Sequence, residues 1–279
     1  MVWLLNDVYD VEHRAYLMSE KEMELMPLKI RSHGASTVMQ YDERYTPYID
    51  MTGLHPFIQL VSRSTPNLNA AAITALIDRW RPETHSFHLR TGEMTVTLQD
   101  VSMITALPIE GKPLCMSTDS EGWRQQMEAL IGMSPPEPEV EDGGKKDRVP
   151  AGAPFTWIAV NFAHCPEDAN DKVIQTYARL GLTRPSLLVS QLDDACRRST
   201  KDGGVGGCML LLSIWSWERL PIGRPKAAKW NTWDDHGNRV RLPTSAYKWD
   251  VVSEVASDVN LLYEQYTNEM DSLTTEQVE

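Results

Sequence analysis

The sequence has little of what marks secreted, membrane or disulfide-linked proteins. It has four cysteines, which form no CxxC pair, and it contains no Asn-x-Ser/Thr site. Its longest apolar run, residues 208–217, covers roughly half of a membrane span and ends at Glu218. Residues 1–5 carry no positive charge and lead straight into Asn6, so no signal peptide is indicated. We therefore expect an intracellular protein that is not secreted and keeps its thiols free.

Motifs for phosphate, metal and cofactor sites are missing as well. The glycine run at 203–207 lacks both GxGxxG spacing and a GK[ST] ending, so we interpret it as a flexible loop leading into an apolar helix. No HExxH motif is present, and His85 and His88, three residues apart, fall on opposite faces of a strand. The α/β frame of a pyridoxal-phosphate enzyme is not indicated either. The sequence predicts no metal, no cofactor and no catalytic residue.

Acidic and imidazole side chains gather around residues 83–93, and two interpretations of them are open. Glu83, His85 and Glu93 could act as acid or base groups. Alternatively, they satisfy the backbone of tight turns and pair with the neighbouring arginines Arg79, Arg81 or Arg90. We favour the second interpretation, because no set of nucleophile, base and orienting residue can be assembled from the sequence.

The charge is strongly negative and unevenly placed. The formal net charge is −12, which discourages non-specific attraction to nucleic acid or anionic lipid. Residues 250–279 contain no lysine or arginine, whereas residues 219–241 are basic and include tryptophans. The candidate nucleic-acid or partner residues in that basic-aromatic strip are Arg224, Lys226, Lys229, Trp230, Arg239 and Arg241. The alternative is that the acidic and basic segments neutralise each other in the folded chain.

The hydrophobic pattern predicts a mainly α fold, a multi-helix globular domain with one short β-hairpin near residues 86–97. A helix over 67–80 should precede two strands, 86–89 and 94–97, with the positive φ of Gly92 in the turn. Thr97 is the predicted N-cap of the next helix, with Asp100 in its first turn.

Further helices follow from apolar spacing and capping residues. One ends at Gly132, another begins at Asp168 as its cap, and a long final helix runs through 251–266. Residues 208–220 are apolar nearly all round and predict a central core helix. Its two tryptophans, Trp215 and Trp217, could mark a partner-binding surface, but core packing is the preferred interpretation.

Several segments together resemble the plant mobile domain, a family found in plant genes and inside transposable elements. The helix, hairpin and helix of residues 78–115 carry the resemblance. It extends to the motifs HRAYL at 13–17, LKIRSHG at 28–34, YDERY at 41–45 and WSWERLPIGRP at 215–225. The resemblance implies nuclear proteins that are linked to transposons and associated with gene silencing. Some members have carried an aminotransferase-like label, which the residues here do not support.

The chain also departs from the family pattern. We expect a single plant-mobile-domain-like domain over 1–279 that is internally shortened near 180–185 and truncated at its C-terminus. Residues 134–154, rich in proline and glycine, predict a disordered surface loop. The shortening predicts that part of the apolar helix at 208–220 is left uncovered, so that the chain is marginally stable and self-associates.

The leading functional hypothesis is a non-enzymatic interaction domain with nuclear protein partners, acting in a transposon-linked or silencing-associated protein. One alternative is nucleic-acid binding through the basic-aromatic strip. Another is an unrecognised enzyme, for which the residues specify no reaction. Neither a partner nor an oligomeric state follows from the sequence.

Overall fold

Helices dominate the part of the chain that the computed structural model describes. That part comprises residues 8, 10–21, 26–30, 41–51, 68–106, 109–110, 122–136, 153, 155–182, 188–198, 203–206, 209–226, 244–249 and 258–278. The α-helices are α1 Arg14–Lys21, α2 Thr46–Asp50, α3 Ala70–Ile77, α4 Leu98–Thr105, α5 Trp123–Ile131, α6 Phe155–Asn161, α7 Asp171–Leu182, α8 Leu188–Ala195, α9 Met209–Arg219 and α10 Val259–Asp271. Short 3-10 helices lie at Glu43–Tyr45, Ser245–Trp249 and Thr275–Gln277.

Two small sheets accompany the helices. The strands are β1 Lys29–Ile30, β2 Trp80–Arg81, β3 Ser86–Leu89, β4 Gly92–Met94 and β5 Gly204–Val205. Strands β2, β3 and β4 form an antiparallel sheet, with Trp80 opposite Phe87 and Phe87 opposite Met94. Strands β1 and β5 pair in parallel. The fold is therefore mainly helical with a small three-stranded antiparallel sheet, and the predicted hairpin is part of that sheet.

The larger hydrophobic cluster, called the first core, surrounds α9. It joins side chains of α3, α8, α9 and α10 to the inner face of the three-stranded sheet. Phe87 lies at its centre, with its ring 5.3 Å from that of Trp215 and 4.8 Å from that of Trp80. Helix α10 packs along α3 and presents Tyr263, Tyr266 and other buried residues to it.

A separate cluster, called the second core, lies between α2, α6 and α7. It contains Tyr45, Ile49, Phe162 and Tyr177 together with residues of α7. The Phe162 ring meets Tyr177 edge to face at 5.3 Å. Arg44 fastens the outside of this cluster, donating to the carbonyl oxygens of residues 165–167 at 2.9–3.3 Å.

The helix predicted over 67–80 is shorter than expected. Asn69 caps it, accepting from the Ala72 N–H at 3.1 Å, and it ends at Ile77. Trp80 enters β2 instead, because its backbone pairs with Phe87 and the two rings pack together. Tertiary pairing therefore overrides the helical spacing of the apolar residues.

The second strand of the hairpin was predicted too late in the chain. Gly92, at φ +132°, pairs with Leu89, so the turn consists of Arg90 and Thr91. Residues after Met94 leave the sheet, since the Thr95 hydroxyl donates to the His85 carbonyl and Thr97 is used as a cap. The prediction of Thr97 is confirmed, and Asp100 completes a capping box with it.

The predictions for other helix ends and for the glycine loop were correct only in part. Gly132 does end α5, in the left-handed conformation at φ +82°. The helix expected to begin at Asp168 begins at Asp171, because the Asn170 side chain accepts from the Val173 N–H at 3.1 Å. The flexible glycine loop is also corrected: residues 203–206 are buried, and two of them form β5.

The core-helix prediction is confirmed, and the uncovered patch predicted on it is wrong. In α9 every residue from Met209 to Trp215 is buried, as is Trp217. The two tryptophans point to different neighbours, since Trp215 stacks on Phe87 and Trp217 lies 5.3 Å from the Trp249 ring. Their placement in the core is confirmed.

Several predictions lie wholly or largely outside the described residues. These are the surface loop at 134–154 apart from residues 134–136 and 153, and the beginning of the final helix at 251–257. Within the helices that are described, none combines the length and apolar character needed to cross a membrane.

Candidate functional site

The basic-aromatic strip is described only in its first part. Arg224 and Lys226 have exposed side chains, whereas Lys229, Trp230, Arg239 and Arg241 lie outside the described residues. The Arg224 guanidinium donates to the carbonyl oxygens of Leu220 and Glu218 at 3.2 and 3.4 Å. The two described strip residues are thus open to solvent, and the others stay a prediction.

Arg219, the first basic residue of the segment 219–241, pairs outside the acidic final segment, and for the other residues the expected neutralisation stays a prediction. Arg219 pairs with Asp100 of α4, and its Nε lies 3.0 Å from Asp100 Oδ1. Burial raises the pKa of Asp100, but hydrogen bonds from Arg219 and Thr97 outweigh it and lower that pKa below its usual value. Asp271 of α10 pairs instead with Arg79 at 2.6 Å.

The polar residues of the hairpin agree with the second interpretation only in part: Glu83 acts electrostatically on Arg81, whereas Glu93 contacts Ser86 and His88. Glu93 accepts from the Ser86 hydroxyl at 3.0 Å and lies 3.5 Å from His88 Nε2. Thr84 Oγ1 lies 3.2 Å from that same Nε2. A catalytic triad needs its acid and its hydroxyl on different imidazole nitrogens, so this cluster is a hydrogen-bonded turn rather than a nucleophile site. The expected pairing of Glu93 with arginine is wrong.

A cleft of about 280 Å³ lies within the described part of the chain. It lies where the start of α1, the turn after β2 and the end of α8 meet. The lining residues are Asp10, His13, Pro82, Glu83, Cys196 and Arg197. His13, Asp10 and Cys196 are buried and form its inner wall, while Glu83 and Arg197 are exposed at its mouth.

His13 caps α1 and is held in one neutral form. Its Nδ1 accepts from the Ala15 N–H at 3.1 Å, so the ring hydrogen is on Nε2, which donates to the Trp80 carbonyl at 3.1 Å. Arg81 Nη1, 3.2 Å from that Nε2, donates to the same carbonyl at 3.0 Å. Burial, reinforced by the positive charge of Arg81, lowers the pKa of His13 to about 3.

Cys196 is likewise held uncharged. Burial raises the pKa of its thiol to about 12, and its Sγ donates to the Asp193 carbonyl at 3.3 Å. Its own carbonyl accepts from the Arg14 N–H at 2.7 Å, which joins α8 to the start of α1. At neutral pH the cleft therefore holds no thiolate at this position and no titrating imidazole.

Buried ion pairs fix the wall behind the cleft. Arg14 Nε lies 2.8 Å from Asp78 Oδ1, with both side chains almost wholly buried. The Tyr263 hydroxyl donates to the other oxygen of Asp78, and burial together with that negative charge raises the pKa of the phenol. Arg81 lies 3.5 Å from Asp10. These pairs connect α1, α3, α10 and β2 in one rigid arrangement.

The rim of the cleft contains a strained residue. His85 has φ +50°, which is uncommon for a residue other than glycine. Its Nε2 lies 3.6 Å from Asp193, and Asp193 also accepts from the Trp80 indole N–H at 2.7 Å. The turn 82–85 is thus held against α8 in a conformation that it would not adopt alone.

Sequence reasoning did not find this cleft. Its residues come from three distant segments, and no spacing rule joins residues 10–13, 82–83 and 196–197. The signal that was available is the family resemblance, since His13 begins the HRAYL motif. As for metals, no group of three or more His, Cys, Asp or Glu residues within the described ranges is arranged to hold an ion.

The comparisons with known proteins agree with the resemblance. The sequence model described as Plant mobile domain matches residues 56–149. The Protein MAINTENANCE OF MERISTEMS of Arabidopsis thaliana is 33% identical over 57% of this chain and 39% of its own length. Protein MAIN-LIKE 1 of the same plant is 26% identical over 72% of this chain and 47% of its own length.

A third relative carries a different name. The Serine/threonine-protein phosphatase 7 long form homolog of Arabidopsis thaliana is 32% identical over 58% of this chain but only 14% of its own length. The chain thus spans less than half the length of these relatives, and no solved structure matches it. The match of the family model over residues 56–149, together with these relatives, confirms the resemblance to the plant mobile domain family that was predicted from the sequence.

Proposed function

We propose that this chain is a non-enzymatic interaction domain that works with nuclear protein partners in a transposon-linked or silencing-associated protein. The observation that carries the non-enzymatic part is the chemistry of the cleft. His13, with its pKa lowered to about 3, is a poor base at neutral pH, and the thiol of Cys196, with its pKa raised to about 12, is a poor nucleophile. The nuclear and silencing parts are supported by the similarity of the chain to plant mobile domain proteins.

The arginines behind the cleft support the same proposal. Arg14, Arg79 and Arg81 are all buried and paired with carboxylates of the chain itself. Because these guanidinium groups are bound to carboxylates within the fold, they hold its elements together and are not available to bind a substrate. At the mouth of the cleft, the carboxylate of Glu83 and the guanidinium of Arg197 are accessible. Such a surface suits the recognition of a partner better than catalysis.

The direct test is affinity purification of the tagged full chain from plant nuclei, with an acidic protein of similar size and the same tag as the control. We expect protein partners that are enriched on the chain and absent from the control. Recovery of no such partner, together with turnover of a small molecule by the purified chain, would refute the proposal.

A chemical test examines the cleft directly. The pKa of Cys196, raised from 9.0 to about 12, leaves roughly a thousandth of the usual thiolate. Iodoacetamide at pH 7.5 should therefore label Cys196 of the native chain at least about 100-fold more slowly than in the urea-unfolded chain. Peptide mapping separates Cys196 from the other cysteines, and equal rates in both states would make it a candidate nucleophile.

Nucleic-acid binding is the second candidate, favoured by the exposed side chains of Arg224 and Lys226. A gel shift at several salt concentrations would compare the chain with a Lys226→Gln, Lys229→Gln double variant. If the basic-aromatic strip binds phosphates, the salt slope should fall by about two. A Lys172→Gln variant on the exposed face of α7 controls for net charge.

A further inference from the structure

We propose that the open edge of strand β4, residues 92–96, pairs with an extended segment of a protein partner in which apolar and basic residues alternate. That segment adds a fourth, antiparallel strand to the sheet of β2, β3 and β4. This inference rests on the proposed function as an interaction domain and names the surface and the partner chemistry. Three observations carry it: the direction of the β4 backbone groups, the covered state of other sheet edges and the alternation of side chains.

The backbone of Glu93 points away from the sheet. In an antiparallel pair, residues directly opposite each other alternate between exchanging two hydrogen bonds and exchanging none. The N–H of His88, the residue opposite Glu93, donates to the Arg79 carbonyl at 2.7 Å on the β2 side. The N–H and C=O groups of Glu93 therefore face outward, and no described residue forms a hydrogen bond with either group.

This side of β4 is open to solvent. Gly92, Glu93 and Thr95 are exposed, and so is Thr97, whose N–H is used in the cap of α4. The available edge therefore ends at residue 96. A backbone donor and acceptor that face water beside a strand are a template for pairing with another strand.

Other strand edges of the described sheets are covered by side chains. On the far side of the three-stranded sheet, the Trp80 carbonyl of β2 accepts from His13 Nε2 at 3.1 Å and from Arg81 Nη1 at 3.0 Å. In the two-stranded sheet, the Arg198 guanidinium donates to the Gly204 carbonyl of β5. Within the described residues, no comparable contact reaches the outer side of β4.

Side chains alternate along the open edge. Met94 and Val96 pack against the first core but are only partly buried, whereas Glu93 and Thr95 are exposed. A neighbouring strand with the same alternation would cover Met94 and Val96 with apolar side chains. Its residue opposite Glu93 would lie on the same face as that carboxylate, of which 58% is exposed.

Charge favours a basic partner over a second copy of the chain. The Glu93 carboxylate contacts a hydroxyl and an imidazole of β3, and within the described ranges it pairs with no lysine or arginine. A lysine or arginine opposite it would form a cross-strand pair of opposite charge. Two copies of the chain would instead bring together two net charges of −12. In strand addition the backbone supplies affinity and the alternate side chains supply specificity.

The first test measures binding of a labelled peptide of alternating valine and lysine to the full chain by fluorescence anisotropy. When the lysines share the face of Glu93 in an antiparallel pair, their N–H groups face β4 and the valine N–H groups face away. N-methylation of the lysines should weaken binding by about tenfold or more, because it removes those donors. N-methylation of the valines is the matched control, with the same charge, and should change binding by less than about twofold. Equal binding of the two methylated peptides, or no binding of the unmethylated one, would overturn the proposal.

Variants of the chain separate the backbone from the charge. Glu93→Gln keeps the outward N–H and should weaken binding by about two- to fivefold through loss of the charge pair. Glu93→Pro also removes the N–H, which an edge strand tolerates, and should weaken binding about fivefold further. Glu264→Gln on the exposed face of α10 controls for net charge. Equal binding by the Glu93→Gln and Glu93→Pro chains would contradict pairing through the backbone, and if proline unfolds the chain in urea denaturation, the methylated peptides decide.

Two further measurements separate this inference from the proposed function. Light scattering that shows a dimer of the unaltered chain and a monomer of the Glu93→Pro chain would assign the edge to a second copy and overturn the partner proposal. Purification from nuclei then compares the partners of the two chains. Partners retained in full by the Glu93→Pro chain would overturn the edge inference and leave the interaction function standing, whereas absence of partners even for the unaltered chain would refute the function itself.

Discussion

The two cores of the molecule are stabilised in different ways. The first core, around α9, encloses ion pairs whose side chains are almost entirely buried, such as Arg14 with Asp78. The second core consists of tyrosine, phenylalanine and aliphatic contacts, and its Asp42–Arg44 pair lies at the surface with 25% and 34% of the side chains exposed. A buried pair fixes where its elements meet, because each charge is costly without its partner, whereas aromatic packing tolerates small adjustments.

This difference leads to a ranking of expected effects. Substitutions that leave one charge alone in the first core should cost most. Substitutions of the same chemical kind beside the second core should cost little. The first three predictions each make the same kind of substitution in both regions. Because the chemical change is the same, a difference in its effect on stability reflects the surroundings of the residue.

The largest effect is expected for Asp78→Asn. The amide keeps the size of the side chain but removes the charge that balances Arg14 and accepts from Tyr263. An unbalanced buried arginine should lower the free energy of unfolding by about 3–5 kcal/mol. Urea denaturation followed by circular dichroism measures it.

The matched variant beside the second core is Asp42→Asn. Asparagine can still accept from the Arg44 N–H, which Asp42 does at 2.9 Å, so the cap is retained while the surface pair is lost. We expect a loss below about 1 kcal/mol. If the two variants destabilise the chain equally, the proposed contrast between the cores is wrong.

The next effect depends on pH and comes from His13. Its pKa is lowered from 6.5 to about 3 in the folded chain, so the unfolded chain binds the proton more readily. The stabilisation is complete above pH 6.5 and is lost as the pH falls from there towards 3. The slope should reach about 1.4 kcal/mol per pH unit.

His13→Asn isolates that contribution, since asparagine can cap α1 but does not titrate. Urea unfolding at pH 7, 6, 5 and 4 should give a gap between the two chains that narrows as the pH falls. His164→Asn, at the edge of the second core, serves as the control. A constant gap for His13→Asn would show that the pKa of His13 is the same in the folded and the unfolded chain.

Particular residues show why the sequence reveals some of this and hides the rest. The capping box of Thr97 and the glycine end of α5 depend on neighbours within a few residues, and both were predicted correctly. The apolar character of α9 was visible because it lies in one continuous run. Caps, helix ends and apolar runs can be predicted from a sequence because the residues that form them lie close together in the chain.

The ion pairs and the cleft depend on residues far apart in the chain. Arg14 and Asp78 are separated by 64 positions, as their numbers show. The sequence around each residue gives no indication that it pairs with the other. Trp80 has helical spacing but joins a strand because Phe87 offers both backbone and ring contacts. Where the local pattern of residues is compatible with more than one structure, contacts between residues far apart in the chain determine which one forms.

A smaller effect is expected for Gly223→Ala, which tests crowding near the first core. Gly223 has φ +55°, and an added Cβ would lie 3.1 Å from Ala72 Cβ and 3.4 Å from the Tyr266 ring. Both the left-handed backbone and the contact with α3 and α10 disfavour alanine. We expect a loss of about 1–3 kcal/mol by thermal and urea denaturation.

Gly132→Ala supplies the matched change, because Gly132 ends α5 at φ +82° with nothing within 4 Å of an added Cβ. It should lose only the backbone part, about 1 kcal/mol. The excess for Gly223→Ala therefore measures how tightly the loop after α9 packs on α10. An excess of zero would mean that this loop yields without cost.

The smallest effect concerns the cap of α4. Thr97 accepts from the Asp100 N–H at 3.1 Å, and its own N–H donates to Asp100 Oδ2 at 2.9 Å. Asp100 also holds Arg219 at the end of α9, so the cap fixes a carboxylate that the first core uses. Thr97→Ala should cost about 1 kcal/mol, and Thr97→Ser should cost much less because the hydroxyl is retained.

Thr274→Ala, at the exposed 3-10 turn after α10, is the control and should change stability by a few tenths of a kcal/mol. A double-mutant cycle with Arg219→Gln then separates the cap from the pair. A coupling energy near zero would show that Asp100 holds Arg219 without help from Thr97, and that the cap is purely local.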